Sequence, residues 1–145
     1  MREEIEKFER QHGNTFCYME QDVTESLRAE WVAEIANEVI TKNHVSFNEV
    51  QELFIRNGFC FLGTVSIRHP KHQQLIFWEG WNQTAVNLIG YLLNEYPIMI
   101  EVSTDPIHYF IEGAGLQLPR ARKIKAYKRD HWLPAVLAKD EERQN

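Results

Sequence analysis

Leu27, Trp31, Ile35 and Val39 recur every four residues, with Val32, Ala36 and Ile40 beside them. This is one apolar face at the helical period, and it defines the longest helix of the chain. The opposite face carries Glu25, Arg28, Glu30, Glu34 and Glu38. Asp22 or Thr24 opens the helix and Lys42-Asn43-His44 ends it. A helix with a single apolar face has to bury that face against a second layer, which the rest of the chain must supply.

The flanking segments read as further short elements. Residues 1–12 form a polar helix stopped by Gly13-Asn14, and the aromatic stretch 15–20 reads as a strand. Ser46 with Glu49 three residues on is a capping box, in which the serine oxygen accepts from a free helical N–H. Phe47, Val50, Leu53 and Phe54 are the buried stripe of the helix it opens, and Gly58 suits the left-handed position just past the end. Strands are expected over 59–67 and 73–78 around the turn Arg68-His69-Pro70-Lys71-His72. Asn82 caps a helix that places Ala85, Leu88, Ile89, Leu92, Leu93 and Tyr96 on one face, and Pro97 closes it. A β-meander is then expected, with strands at 98–104, 107–112 and 116–118 turning at Asp105-Pro106 and Gly113-Ala114-Gly115. Residues 140–145 read as a frayed tail.

With 145 residues, short connections and no repeat, linker or low-complexity tract, the expectation is a single domain over 1–145. Its class is α+β, with an antiparallel sheet of about five strands and helices packed mainly on one face. The N-terminal order of helix, short strand, two helices and hairpin is winged-helix-like.

Charge is unevenly distributed. The chain has 16 basic and 21 acidic residues. Six of the basic residues and a single acidic one, Asp130, fall between Leu118 and Trp132, so ten basic and twenty acidic residues make up the remainder. Pro119 opens this segment and Trp132-Leu133-Pro134 ends it, while Ile124 and Tyr127 are the expected anchors of an ordered strip. Arg120, Arg122, Lys123, Lys125, Lys128 and Arg129 would neutralise phosphates, helped by Arg68 and Lys71 in the wing-like turn, and Tyr127, His131 and Trp132 would stack on bases. In a winged helix, residues 46–57 would lie in the major groove. Glu49 and Glu52 on the exposed side of that helix would be repelled by phosphates. Alternatively, the cations could pair with the acidic faces of the same molecule, including Glu30, Glu34 and Glu38.

Other features carry weaker chemistry. Trp78 and Trp81 stand three apart at the end of a strand; Trp78 fits under the helix starting at Asn82, and Trp81 with Trp132 is a candidate interface residue. His108 near Glu101 and Glu112, with Arg120 or Arg122 close by, is the only acid–base constellation that suggests phosphodiester cleavage. His69 and His72 lack carboxylate or thiolate company for a metal, and no Walker loop, G-x-S-x-G, G-x-G-x-x-G or H-E-x-x-H motif is present. Cys17 and Cys60 match no metal or redox spacing and read as two small buried hydrophobes in a reducing compartment. The charged opening is not expected to act as a signal peptide, and no apolar run approaches the roughly 18 residues of a membrane span. The expected function is a non-catalytic cytoplasmic binding module without cofactor or metal, engaging DNA or RNA through the basic strip. The alternative is an adaptor or inhibitor, of phage, plasmid or immunity type, with an acidic or basic protein partner. A small nuclease or hydrolase comes third.

Overall fold

The computed structural model describes residues 1–103, 109 and 115–143, and structural statements below refer to these. Four helices are described: α1 (Arg2–His12), α2 (Glu25–Lys42), α3 (Phe47–Arg56) and α4 (Gln83–Glu95). The strands are β1 (Leu62–Arg68), β2 (Leu75–Trp81), β3 (Ile98–Val102), β4 (His131–Trp132) and β5 (Ala135–Lys139). The α+β class holds, but the single antiparallel sheet does not. Strands β1, β2 and β4 form one sheet in that order, antiparallel then parallel, and β3 pairs antiparallel with β5 in a second.

The helix starts follow the local chemistry. The Thr24, Ser46 and Asn82 side chains accept from the N–H groups of Leu27, Glu49 and Ala85 at 3.2, 3.0 and 2.9 Å. Each bond satisfies a donor that the first helical turn leaves without an internal partner. Trp31, Val32, Ile35, Ala36 and Val39 are the buried face of α2, which packs on α4 and β5. At its end Asn43 and His44 hold φ of 53° and 66°, positive values that few non-glycine residues adopt. Here the Asn43 amide oxygen accepts from Lys139 N–H at 3.0 Å, and Val45 exchanges two 2.8 Å backbone bonds with Leu137. These bonds attach the end of α2 to β5.

β3 finds its partner in β5 rather than in a following hairpin. Residues Ala135 to Ala138 are buried in succession and so lack the two-residue alternation of a half-exposed strand, which is why the segment does not read as one. Residues 15–20 contribute only a parallel bridge, Tyr18 to Phe59, followed by a 3-10 turn at Glu20–Asp22. Residues 116–118 are not a strand. The expected strand at 107–112 and the turns at 105–106 and 113–114 lie, apart from Tyr109, outside the described residues. Helices also occupy both faces of β2. Trp78 stacks on Phe47 of α3 at 6.1 Å, whereas its neighbour Phe77 faces a cleft floored by α4.

The core is an aromatic cluster centred on β2. The Trp78 and Trp81 indoles both donate to Gln51 Oε1 on α3, each at 2.9 Å. Tyr109, fully buried, lies 5.3 Å from both Trp78 and Trp132; its hydroxyl accepts from Phe47 N–H at 3.1 Å and donates to Ala135 O at 2.7 Å. The Trp132 indole donates to Phe77 O at 3.2 Å. Trp81 and Trp132, expected at an interface, are therefore core residues of the chain, 0% and 3% exposed.

Of the two cysteines only Cys60 is buried; Cys17 is exposed. Burial, with Glu9 and Glu20 adding negative charge, raises the Cys60 thiol pKa despite an opposing backbone hydrogen bond at Leu62. Iodoacetamide at pH 8 should label Cys17 at least about ten-fold faster than Cys60 in native protein, read by peptide mass mapping; equal rates would contradict the fold. A buried donor left unpaired costs about 1–3 kcal/mol, so Gln51→Leu should lower stability by about 2–4 kcal/mol in urea unfolding, and Gln51→Glu, which keeps an acceptor, by much less.

Candidate functional site

Two adjacent surfaces stand out. The first is the basic segment. It is neither helix nor strand but a loop closed at its base by a parallel bridge between Arg120 and Trp132. Ala121 N–H donates to Trp132 O at 2.8 Å and Trp132 N–H to Pro119 O at 2.9 Å. Ala121 is buried, and Arg120 is half-buried at the bridge. Of the two expected anchors, only Tyr127 packs against the core. Its ring stacks on His131 at 4.0 Å and its hydroxyl donates to Lys123 O at 3.2 Å, which braces the loop from within. Ile124 is 53% exposed.

Arg122, Lys123, Lys125, Lys128 and Arg129 are exposed and form no salt bridge with a described residue. Lys125 Nζ lies 5.0 Å from the centroid of the Tyr127 ring. The acidic face of α2 does not take up these cations: Glu34 meets Arg56 and Asn57, and Glu38 meets Lys42. The hairpin turn and the loop are joined at their bases. Arg68 grips Asp130 at 3.1 and 3.4 Å while donating to Gln73 O at 2.6 Å, and His131 N–H donates to Gln74 O at 2.7 Å. Arg68 is thus a clamp between turn and loop, whereas Lys71 remains exposed.

Within the turn, His69 Nδ1 accepts from the backbone N–H groups of Lys71 and His72 at 3.1 and 3.3 Å, which requires that nitrogen to be unprotonated. Desolvation lowers the His69 pKa below the ordinary histidine value, and the nearby His72 and Lys71 lower it further. His108 and Glu112 lie outside the described residues. Glu101, the third member of the proposed acid–base group, accepts from His44 Nε2 at 2.8 Å. No group of three metal-ligating side chains occurs among the described residues, and no described helix is long and apolar enough to cross a membrane.

No family model, curated protein or solved structure matches this chain.

The second surface is an aliphatic cleft of about 570 Å³ between β1, α4 and β3. Ile67 and Phe77 line one wall, Val86, Ile89, Gly90 and Leu93 the floor, and Ile98, Met99, Ile100 and Val102 the other wall, with Arg68, His69 and Pro70 at its polar part. The sequence signal was present but mixed. On α4, Ala85, Leu88 and Leu92 are buried, while Val86, Gly90 and Leu93 form a second stripe that merges with the first in a simple helical count.

The depressed His69 pKa sets the sign of a pH effect: the neutral ring is favoured in the folded turn, so its stabilisation is present above about pH 6.5 and lost as pH falls through the folded-state value. Proton–carbon NMR titration should give His69 a midpoint below about 6.5, with faster amide exchange at Lys71 and His72 on acidification. A midpoint at or above that value would contradict the described turn.

Proposed function

We propose that this chain is a non-catalytic, cytoplasmic binding module that engages nucleic acid through the loop at residues 122–129, with Lys71 in the adjoining turn assisting. The observation that carries the reading is the set of five exposed loop cations with no salt-bridge partner among the described residues, set on a chain of net charge −5. Acidic side chains in contact would cancel such charge; here Glu34 and Glu38 of α2 meet Arg56 and Lys42 instead. The closed base also supports the reading, because a loop held at both ends loses less conformational entropy on binding than a free tail.

The winged-helix-like order of α1, α2, α3 and the β1–β2 hairpin bears on which element makes contact. α3 turns Phe47, Val50, Leu53 and Phe54 inward, and its Glu52 is exposed, so it is a poor groove reader. The contact is assigned to the turn and the loop. With Trp132 buried and Tyr127 stacked on His131, recognition rests on phosphate charge more than on base stacking, which favours binding with little sequence preference.

Fluorescence anisotropy with single-stranded DNA, duplex DNA and RNA across a salt series tests this. Each phosphate contact contributes about 0.7–0.9 to the slope of log K on log salt, so five cations predict a slope of about −4. The combined variant Arg122→Ala, Lys123→Ala, Lys125→Ala should flatten that slope to about −2 while leaving circular dichroism unchanged. Absent or salt-insensitive binding overturns the proposal, and equal affinity for poly-glutamate would reassign the loop to an acidic protein partner.

A further inference from the structure

The cleft between β1 and β3 is bordered by two outer strands. Among the described residues, β1 pairs only with β2 and β3 only with β5. Backbone parity identifies which groups of β3 remain. Leu137 exchanges both backbone bonds with Val45, so its N–H and C=O point away from β3. Val136 and Ala138 therefore point toward β3, where they meet Glu101 and Met99. The bond from Ser103 N–H to Pro134 O at 2.8 Å follows the same parity. The N–H and C=O groups of Ile98, Ile100 and Val102 are left on the far edge. Ile98 is provided for, by Tyr96 O at 2.8 Å and the Arg143 guanidinium at 3.3 Å. Ile100 and Val102 have no described partner on that edge.

The cleft runs along this edge. Ile98, Met99 and Ile100 all line it, and since consecutive strand side chains point to opposite faces, the edge is where all three meet one space. A purely apolar small molecule would fill the space but leave the backbone donors and acceptors of Ile100 and Val102 unmatched. An extended polypeptide meets both demands. Its backbone pairs with Ile100 and Val102, and alternate aliphatic side chains enter the cleft over Ile89 and Gly90. Exposed Lys71, next to the cleft-lining Pro70 in the adjoining turn, makes an acidic flanking residue complementary.

We propose that the cleft binds an extended segment of a protein partner, about five residues long, with aliphatic side chains at alternate positions and acidic flanks, added as a strand to the edge of β3 that no described strand covers. The proposal is independent of nucleic-acid binding by the loop.

Gly90 provides a variant that leaves the fold intact. It lines the cleft, a Cβ built there meets nothing within 4 Å, and a longer side chain in mid-helix raises helix propensity. Nine-residue peptides with Ile, Val or Leu at alternate positions and Glu or Asp at the ends are selected from a randomised pool against the full chain. The selected peptide is measured by anisotropy and by amide hydrogen exchange. The expected result is slowed exchange at Ile100 and Val102, with at least about ten-fold weaker binding when the edge-facing peptide nitrogens are methylated. Gly90→Leu should weaken it similarly without lowering Tm, whereas the triple loop variant should leave it within about two-fold. The proposal is overturned if the pool yields no binder, if N-methylation or Gly90→Leu has no effect, or if laurate binds the cleft and the peptides do not. Protection of Ile100 and Val102 in the free chain, accompanied by dimer mass in sedimentation, would also overturn it in favour of a second copy of this chain.

Discussion

The core around β2 depends on burying the indoles of Trp78, Trp81 and Trp132 and the phenol of Tyr109 without leaving their polar atoms unpaired. Gln51 accepts from both Trp78 and Trp81, Phe77 O accepts from Trp132, and Tyr109 joins the start of α3 to β5. Large aromatic rings contribute much of the buried apolar area of a small domain, but a buried donor without a partner offsets that gain. Trp78, Trp81 and Trp132 therefore each hold the element that supplies the acceptor. Through these bonds α3, β2, β4 and β5 are placed together, although β4 has only two residues and little ladder of its own.

This core explains where the two candidate surfaces lie. Because Trp132 is drawn inward beside Phe77, the chain must return to β2 at the end of the basic segment, which closes residues 120–132 into a loop beside the hairpin turn. Arg68 and Asp130 then clamp loop to turn. On the other face of β2, Phe77 and α4 leave a cleft between the two small sheets, because neither β1 nor β3 has a further described strand along its outer edge. The same aromatic packing thus presents charge on one surface and, on another, a strand edge along which Ile100 and Val102 have no described partner.

Local signals were legible where the physics is local. The caps at Thr24, Ser46 and Asn82, the buried face of α2 and the β1–β2 hairpin stand in the structure close to where spacing and turn chemistry put them. So does the exposure of most strip cations. The roles of Arg68, Ile124, Trp81 and Trp132 were not legible, because clamp, exposed tip and core depend on neighbours dozens of residues away. Arg68 and Asp130, 62 apart in sequence, show this most directly.

The amino-acid sequence by itself determined the helix positions, the α+β class and the separation of a basic segment from an acidic remainder. These follow from periodicity, capping and charge count, which act over a few residues. The tertiary structure alone decided that β3 pairs with β5, that the sheet divides in two and that the basic segment closes into a loop. Strand partners are chosen by which apolar faces and backbone edges meet in space, and a short buried run such as Ala135–Lys139 is compatible with many partners until the core around Tyr109 and Trp78 selects one.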